Sequence, residues 1–109
     1  MIKVTCVGVT HGGLSNFVGI VWLNPYLIRG VTPPDTRPLD FKFWGYTPTD
    51  EQQKIVEGHR SKTKADIRYL YSDNMVTLWV EEAPEQIAAM VEHAMRPIQI
   101  IRHDPNYNP

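Results

Sequence analysis

The chain has a single cysteine, Cys6, in 109 residues. An internal disulfide is therefore impossible, and no thiol pair is present to seed a zinc site. Cys6 sits in an alternating apolar run, where a lone cysteine acts as a small buried hydrophobe. An excess of one charge is also missing. Eleven Lys and Arg oppose twelve Asp and Glu, a formal charge of −1, so no global field gathers nucleic acid or an anionic membrane. No apolar run approaches the roughly 20 residues that span a bilayer. The opening MIKVTCVGV lacks the charged region and cleavage site of a secretion signal. The expectation is a cytoplasmic protein with no membrane partner.

Catalytic and metal signatures are equally sparse. The four histidines, His11, His59, His93 and His103, are never three or four residues apart, and neither HExxH nor CxxC occurs. His11-Gly12-Gly13 lacks the lysine and the strand–loop–helix setting of a phosphate cradle. Glu81 and Glu82 are adjacent, so in a strand they point to opposite faces and cannot act as a carboxylate pair. No GxSxG elbow offers a nucleophile. No enzyme activity, metal or cofactor is expected; a small hydrolase survives only as a third reading.

What is present reads as one α+β domain over residues 1–109. Ile2, Val4 and Cys6 alternate with Lys3, Thr5 and Val7, the period of a strand. THGGLSN (10–16) is a turn, and FVGIVWL (17–23) a second strand with a bulge expected at Gly19. Asn24-Pro25 fits a type I turn, and YLIRGVT (26–32) an irregular third strand. PPDTRP (33–38) has three prolines and suits an exposed connector. DIRYLY (66–71) and MVTLWV (75–80) flank Ser-Asp-Asn as a hairpin. APEQIAAMVEHAM (83–95) is the main helix, with Pro84 in its first turn and Ile87, Met90, Val91, Ala94 and Met95 on one face. A second, surface helix is expected to start at Thr47 and stop at Gly58, burying little. Residues 98–101 suit one more strand, and residues 103–109 a frayed tail. The fold class is thus α+β: a bent antiparallel sheet of about five strands under one C-terminal helix. Its expected core is Ile2, Val4, Cys6, Val21, Ile67, Leu70, Leu78, Val80, Ile87, Met90 and Val91.

The candidate site lies between the connector and the hairpin. FKFWGYTP (41–48) holds four of the eleven aromatics, Phe41, Phe43, Trp44 and Tyr46. If extended, it turns Phe41 and Phe43 inward and leaves Trp44 and Tyr46 partly exposed as anchors. Downstream, Lys54, Arg60, Lys62, Lys64 and Arg68 form a basic run against Glu57 and Asp66. Trp44, Tyr46, Lys54, Arg60, Lys62 and Lys64 are the candidate partner-binding residues. Rings beside cations also suit single-stranded nucleic acid, with bases stacked and phosphates paired, while a solvated loop is the blander alternative.

MIKVT, the strand ending WLNPYLI and the hairpin leading into VEEAPEQIAAMV together resemble the FlbD/SwrD group of small flagellar-operon proteins. The resemblance covers residues 1–36 and 66–95. Tyr26 stands where that group carries an acidic residue after the proline, and Ser-Asp-Asn where it has Asn-Gly. Residues 37–65 form an insertion that the group lacks. The resemblance implies a small, adaptor-like sheet-plus-helix module without catalysis, and similar cores in bacteriophage genomes suggest a viral modulator of a host complex. The expected partner is a protein, either a host component or a second copy in a homodimer. Single-stranded nucleic acid is the alternative.

Overall fold

Alternation dominates the first strand, and everything else is arranged about it. The computed structural model describes residues 1–10, 14–15 (backbone only), 17–37, 39 and 47–95. The strands are β1 (Ile2–Thr10), β2 (Leu14–Ser15), β3 (Gly19–Leu23), β4 (Ile28–Thr32), β5 (Ala65–Tyr71) and β6 (Asn74–Val80). The helices are α1 (Asp50–Lys62) and α2 (Pro84–Ala94). All strand pairings are antiparallel, in the order β2-β1-β6-β5-β4, with β3 also on β1. The fold is α+β, and the sheet does not close.

β1 pairs with three strands, meeting β2 at Val9 and Thr10. Residues 2–6 pair with β3, and Cys6 to Thr10 with β6. A bulge separates the halves: Cys6 faces Val80 but Gly8 faces Trp79, so Val7 is the extra residue. The expected bulge at Gly19 is absent, since Gly19 sits in regular register opposite Cys6. A second bulge interrupts β4 between Ile28 and Gly30. At Gly8 a side chain has no room, because a Cβ there would lie 2.6 Å from Cε3 of Trp79.

One face of the sheet packs under α2. Ile2, Val4, Cys6, Leu23, Ile67, Leu78, Val80 and Ile87 are buried in one cluster, with Val21, Met90 and Val91 partly buried against it. Leu70 is the exception among the expected core residues. It is three positions from Ile67, and a strand of period two sends it to the opposite face; Tyr69 takes its place in the core, 8% exposed. The other face carries α1, whose Val56 is buried with Val7 and Trp79.

Local corrections follow the same logic. The hairpin turn is the two-residue Ser72-Asp73, both at positive φ (47° and 66°), and Asn74 already pairs with Tyr71; this is the double left-handed turn that matches strand twist. Asn24 caps the short helical turn Pro25–Leu27 by accepting from the Tyr26 N–H. α1 begins later than Thr47 because Thr49 and Gln52 form a reciprocal capping box. It also runs through Gly58 to Lys62, since Val56 and Arg60 anchor it and tertiary packing outweighs the roughly 1 kcal/mol that an interior glycine costs. The expected strand at 98–101 and the frayed tail lie outside the described residues.

Two substitutions test this packing by urea unfolding. Ile87→Ala, which empties a fully buried site between α2 and the sheet, should lower stability by about 3 kcal/mol. Gly8→Ala should lower it by about 1–3 kcal/mol, because the new methyl overlaps the Trp79 ring. Parent-like stability in either variant would contradict the described core.

Candidate interaction surface

α1 presents its basic residues very differently from one another. Arg60 projects from the last turn over the Trp79 ring, 4.7 Å from the ring centroid. Its guanidinium donates to both Asp66 oxygens, at 2.6 and 3.0 Å, and to the Asp35 carbonyl oxygen at 3.2 Å. The Arg60 and Asp66 side chains are each only 15% exposed. Arg60 is thus taken up within the fold, tying α1 to β5 and to the connector, and does not stand out as a cation for a partner.

Lys54, Lys62 and Lys64 are exposed. Lys54 lies on the side of α1 turned from Val56, and Lys62 is eight residues on, roughly 12 Å along the axis. Lys64 follows the helix, its backbone N–H donating to the Val80 carbonyl at 2.8 Å. Lys54 is thus two turns of α1 from Lys62, while Lys64 follows Lys62 by two residues. Phe41, Phe43, Trp44 and Tyr46 lie outside the described residues.

A groove of about 540 Å³ separates α1 from the connector, lined by Pro34, Asp35, Leu39, Gln53, Glu57 and Arg60 among others. Its polar groups already answer one another. Gln53 donates to Glu57, and Arg37 donates to Asp35 through its guanidinium and backbone N–H, which holds the Asp35 carboxyl down to about 2. Cys6 is fully buried; burial pushes its thiol up, and the thiol donates to the Gly8 carbonyl with Sγ at 3.3 Å. Among the described residues no cluster of three or more His, Cys, Asp or Glu is placed to hold a metal. No described helix is long and apolar enough to cross a membrane.

The surface that sequence reasoning missed is on β3. Leu23 and Val21 face the α2 core, so Ile20 and Trp22 face the other way, where α1 does not cover them. They are 58% and 60% exposed, and Val18, preceding the strand, is 55% exposed. Lys3, opposite Trp22 on β1, holds Nζ 6.0 Å from the Trp22 ring centroid, within reach of a weak cation–π contact.

The backbone of the same two residues is also outward. Thr5 donates its N–H to Glu82 Oε1 at 2.8 Å, and its carbonyl accepts from Glu81 N–H at 3.0 Å. Both Thr5 groups therefore point away from β3. In an antiparallel pair such a residue and its opposite number turn their polar groups away from each other, so those of Ile20 face the free edge. Trp22, two residues on, does the same. At Asn24, next in that series, the N–H is already bound by the Tyr69 hydroxyl. Among the described residues, β3 pairs with β1 alone.

No protein-family model, curated protein or solved structure matches the chain.

Double-mutant cycles separate the structural cation from the exposed ones. Arg60→Ala should destabilise by about 1–3 kcal/mol, because it strands Asp66 in a part-buried site, and the cycle with Asp66→Ala should return a coupling of similar size. Lys54→Ala and Lys62→Ala should each stay within about 0.5 kcal/mol of the parent. An Arg60→Ala protein as stable as the parent would show that the ion pair holds nothing in place.

Proposed function

We propose that the chain is a non-catalytic protein-interaction module whose recognition element is the β3 edge with its Ile20 and Trp22 side chains. One observation carries this reading. Within β3, the two residues that expose large apolar side chains, Ile20 and Trp22, are the same two whose backbone donors and acceptors face an edge that no described strand pairs with. An added strand engages both at once, taking affinity from main-chain hydrogen bonds and specificity from alternate side chains. A tryptophan with a free edge beside it also has the character of an interface anchor.

The resemblance to the small, adaptor-like FlbD/SwrD group supports the same class, as does the absence of a catalytic motif from the sequence. The insertion contributes a second surface, with Ile55, half exposed, and Lys54, Lys62 and Lys64 turned to solvent around α1. Nucleic-acid binding is the less favoured reading, because Arg60 neutralises Asp66 and so leaves the basic run. A bacteriophage origin with a host complex as target fits the module reading as one version of it.

Site-specific photo-crosslinking in cells that produce the protein tests the proposal. A benzophenone amino acid at position 22 should yield a discrete protein adduct. The same group at Tyr71, which is equally exposed at 64% but lies at the hairpin tip, should not. Equal labelling from the two positions, or no protein adduct at position 22, would overturn the assignment of this edge.

A further inference from the structure

We propose that the strand added to β3 is β3 of a second copy, paired antiparallel about a two-fold axis through Val21. The inference rests on the interaction-module reading above and names its partner. Three features of the edge select a second copy over an unrelated strand.

The first is register. A symmetric interface must be complementary to itself. With the axis at Val21, Ile20 falls opposite Trp22 of the second copy, and Trp22 opposite its Ile20. These are the residues whose N–H and C=O groups face outward, so each opposed pair exchanges two hydrogen bonds, four across the seam. The side chains follow suit. Each exposed Ile20 meets an exposed Trp22, the aromatic–β-branched combination that stabilises cross-strand neighbours. The free groups flank Val21 symmetrically and stop at Asn24, whose N–H is bound to Tyr69.

The second is charge. FVGIVWL (17–23) contains no ionisable residue and no proline, so nothing in the seam repels an identical strand. The net charge of −1 adds little repulsion between whole copies. Lys3, the nearest cation, is one strand back from the seam and leans over the Trp22 ring.

The third is the contrast with the opposite edge of the sheet. β4 is interrupted by its bulge at Arg29 and runs directly into Pro33 and Pro34. Bulges, charges and prolines are the devices that keep sheet edges from pairing. β4 carries a bulge and a charge and is followed at once by prolines, whereas β3 carries neither bulge nor charge and its nearest proline, Pro25, lies beyond Asn24.

A disulfide reads the register directly. The Val21 polar groups face β1, so the two copies of Val21 form a non-hydrogen-bonded pair with Cα atoms about 4.5 Å apart, inside the range a disulfide bridges. Val21→Cys in the full chain should therefore oxidise to a covalent dimer that reductant dissolves. Tyr71→Cys should not, nor should the parent, whose Cys6 is buried. Sedimentation of the parent at about 100 μM, above the dissociation constants of modest interfaces, should give twice the chain mass. Ile20→Glu with Trp22→Glu, which opposes like charges, should give monomer with an unchanged circular dichroism spectrum. Ile20→Lys with Trp22→Glu, which opposes unlike ones, should restore the dimer. A monomeric parent, a dimeric Glu/Glu variant or equal oxidation at positions 21 and 71 would overturn the proposal. If the purified chain is monomeric while position 22 crosslinks to a different protein, the dimer fails and the interaction-module reading stands. If position 22 yields no adduct of any kind, both fail.

Discussion

The bulge between Cys6 and Gly8 puts Val7 and Gly8 on the same face of β1 and returns Val9 to the α2 face that Cys6 occupies. Before it, β1 belongs with β3; after it, with β6. Val7 faces α1 by simple alternation from Cys6, and the extra residue leaves Gly8, which has no side chain to obstruct, on that same face against the Trp79 ring. β1 thereby supplies apolar contacts to both faces. Trp79 and Val56 of α1 pack on the face that Val7 and Gly8 share.

The same arrangement explains which surface is left open. α1 is fixed over the C-terminal half of β1 by Val56 against Val7 and Trp79, and by Arg60 bonded to Asp66. It does not reach the half of β1 that pairs with β3. Beyond the end of β6, that half is completed by Glu81 and Glu82, which bind the carbonyl and N–H of Thr5. One edge of β1 is thus closed by a glutamate carboxylate and the other by β3. The edge of β3 itself, uncharged and unbulged, passes on to the surface.

Much of the fold was legible because period two is a strong signal where polar and apolar residues alternate. Ile2, Val4 and Cys6 announced their common face, and Pro84 with the Ile87, Met90 and Val91 stripe announced α2. The bulge at Val7 left no such mark, since MIKVTCVGV is apolar on both sides of it. Leu70 was misplaced by counting it as core together with Ile67, although three residues in a strand reverse the face. The Thr49–Gln52 capping box was present in the sequence, but Pro48 drew the start of the helix to Thr47. The site was less legible than the fold. FVGIVWL is apolar on both parities, the pattern of a strand buried on both faces, and only the position of α1 decides that Ile20 and Trp22 stay exposed. The usable signal was a seven-residue strand with a tryptophan and no charge. Asp66 was visible beside the basic run, but a sequence does not show that Arg60 alone of those cations reaches it.

In the proposed dimer the Ile20 and Trp22 amides face an edge that a second copy closes, while the Val21 amide faces β1. Amide hydrogen exchange of these three residues, followed by NMR across a dilution series, tests it most directly. Val21 should exchange slowly at every concentration, because its partner is within the chain. Ile20 and Trp22 should be protected at high concentration and lose that protection on dilution, in step with each other. Exchange at Ile20 and Trp22 that is independent of concentration, or a Val21 amide that varies with it, would contradict the account.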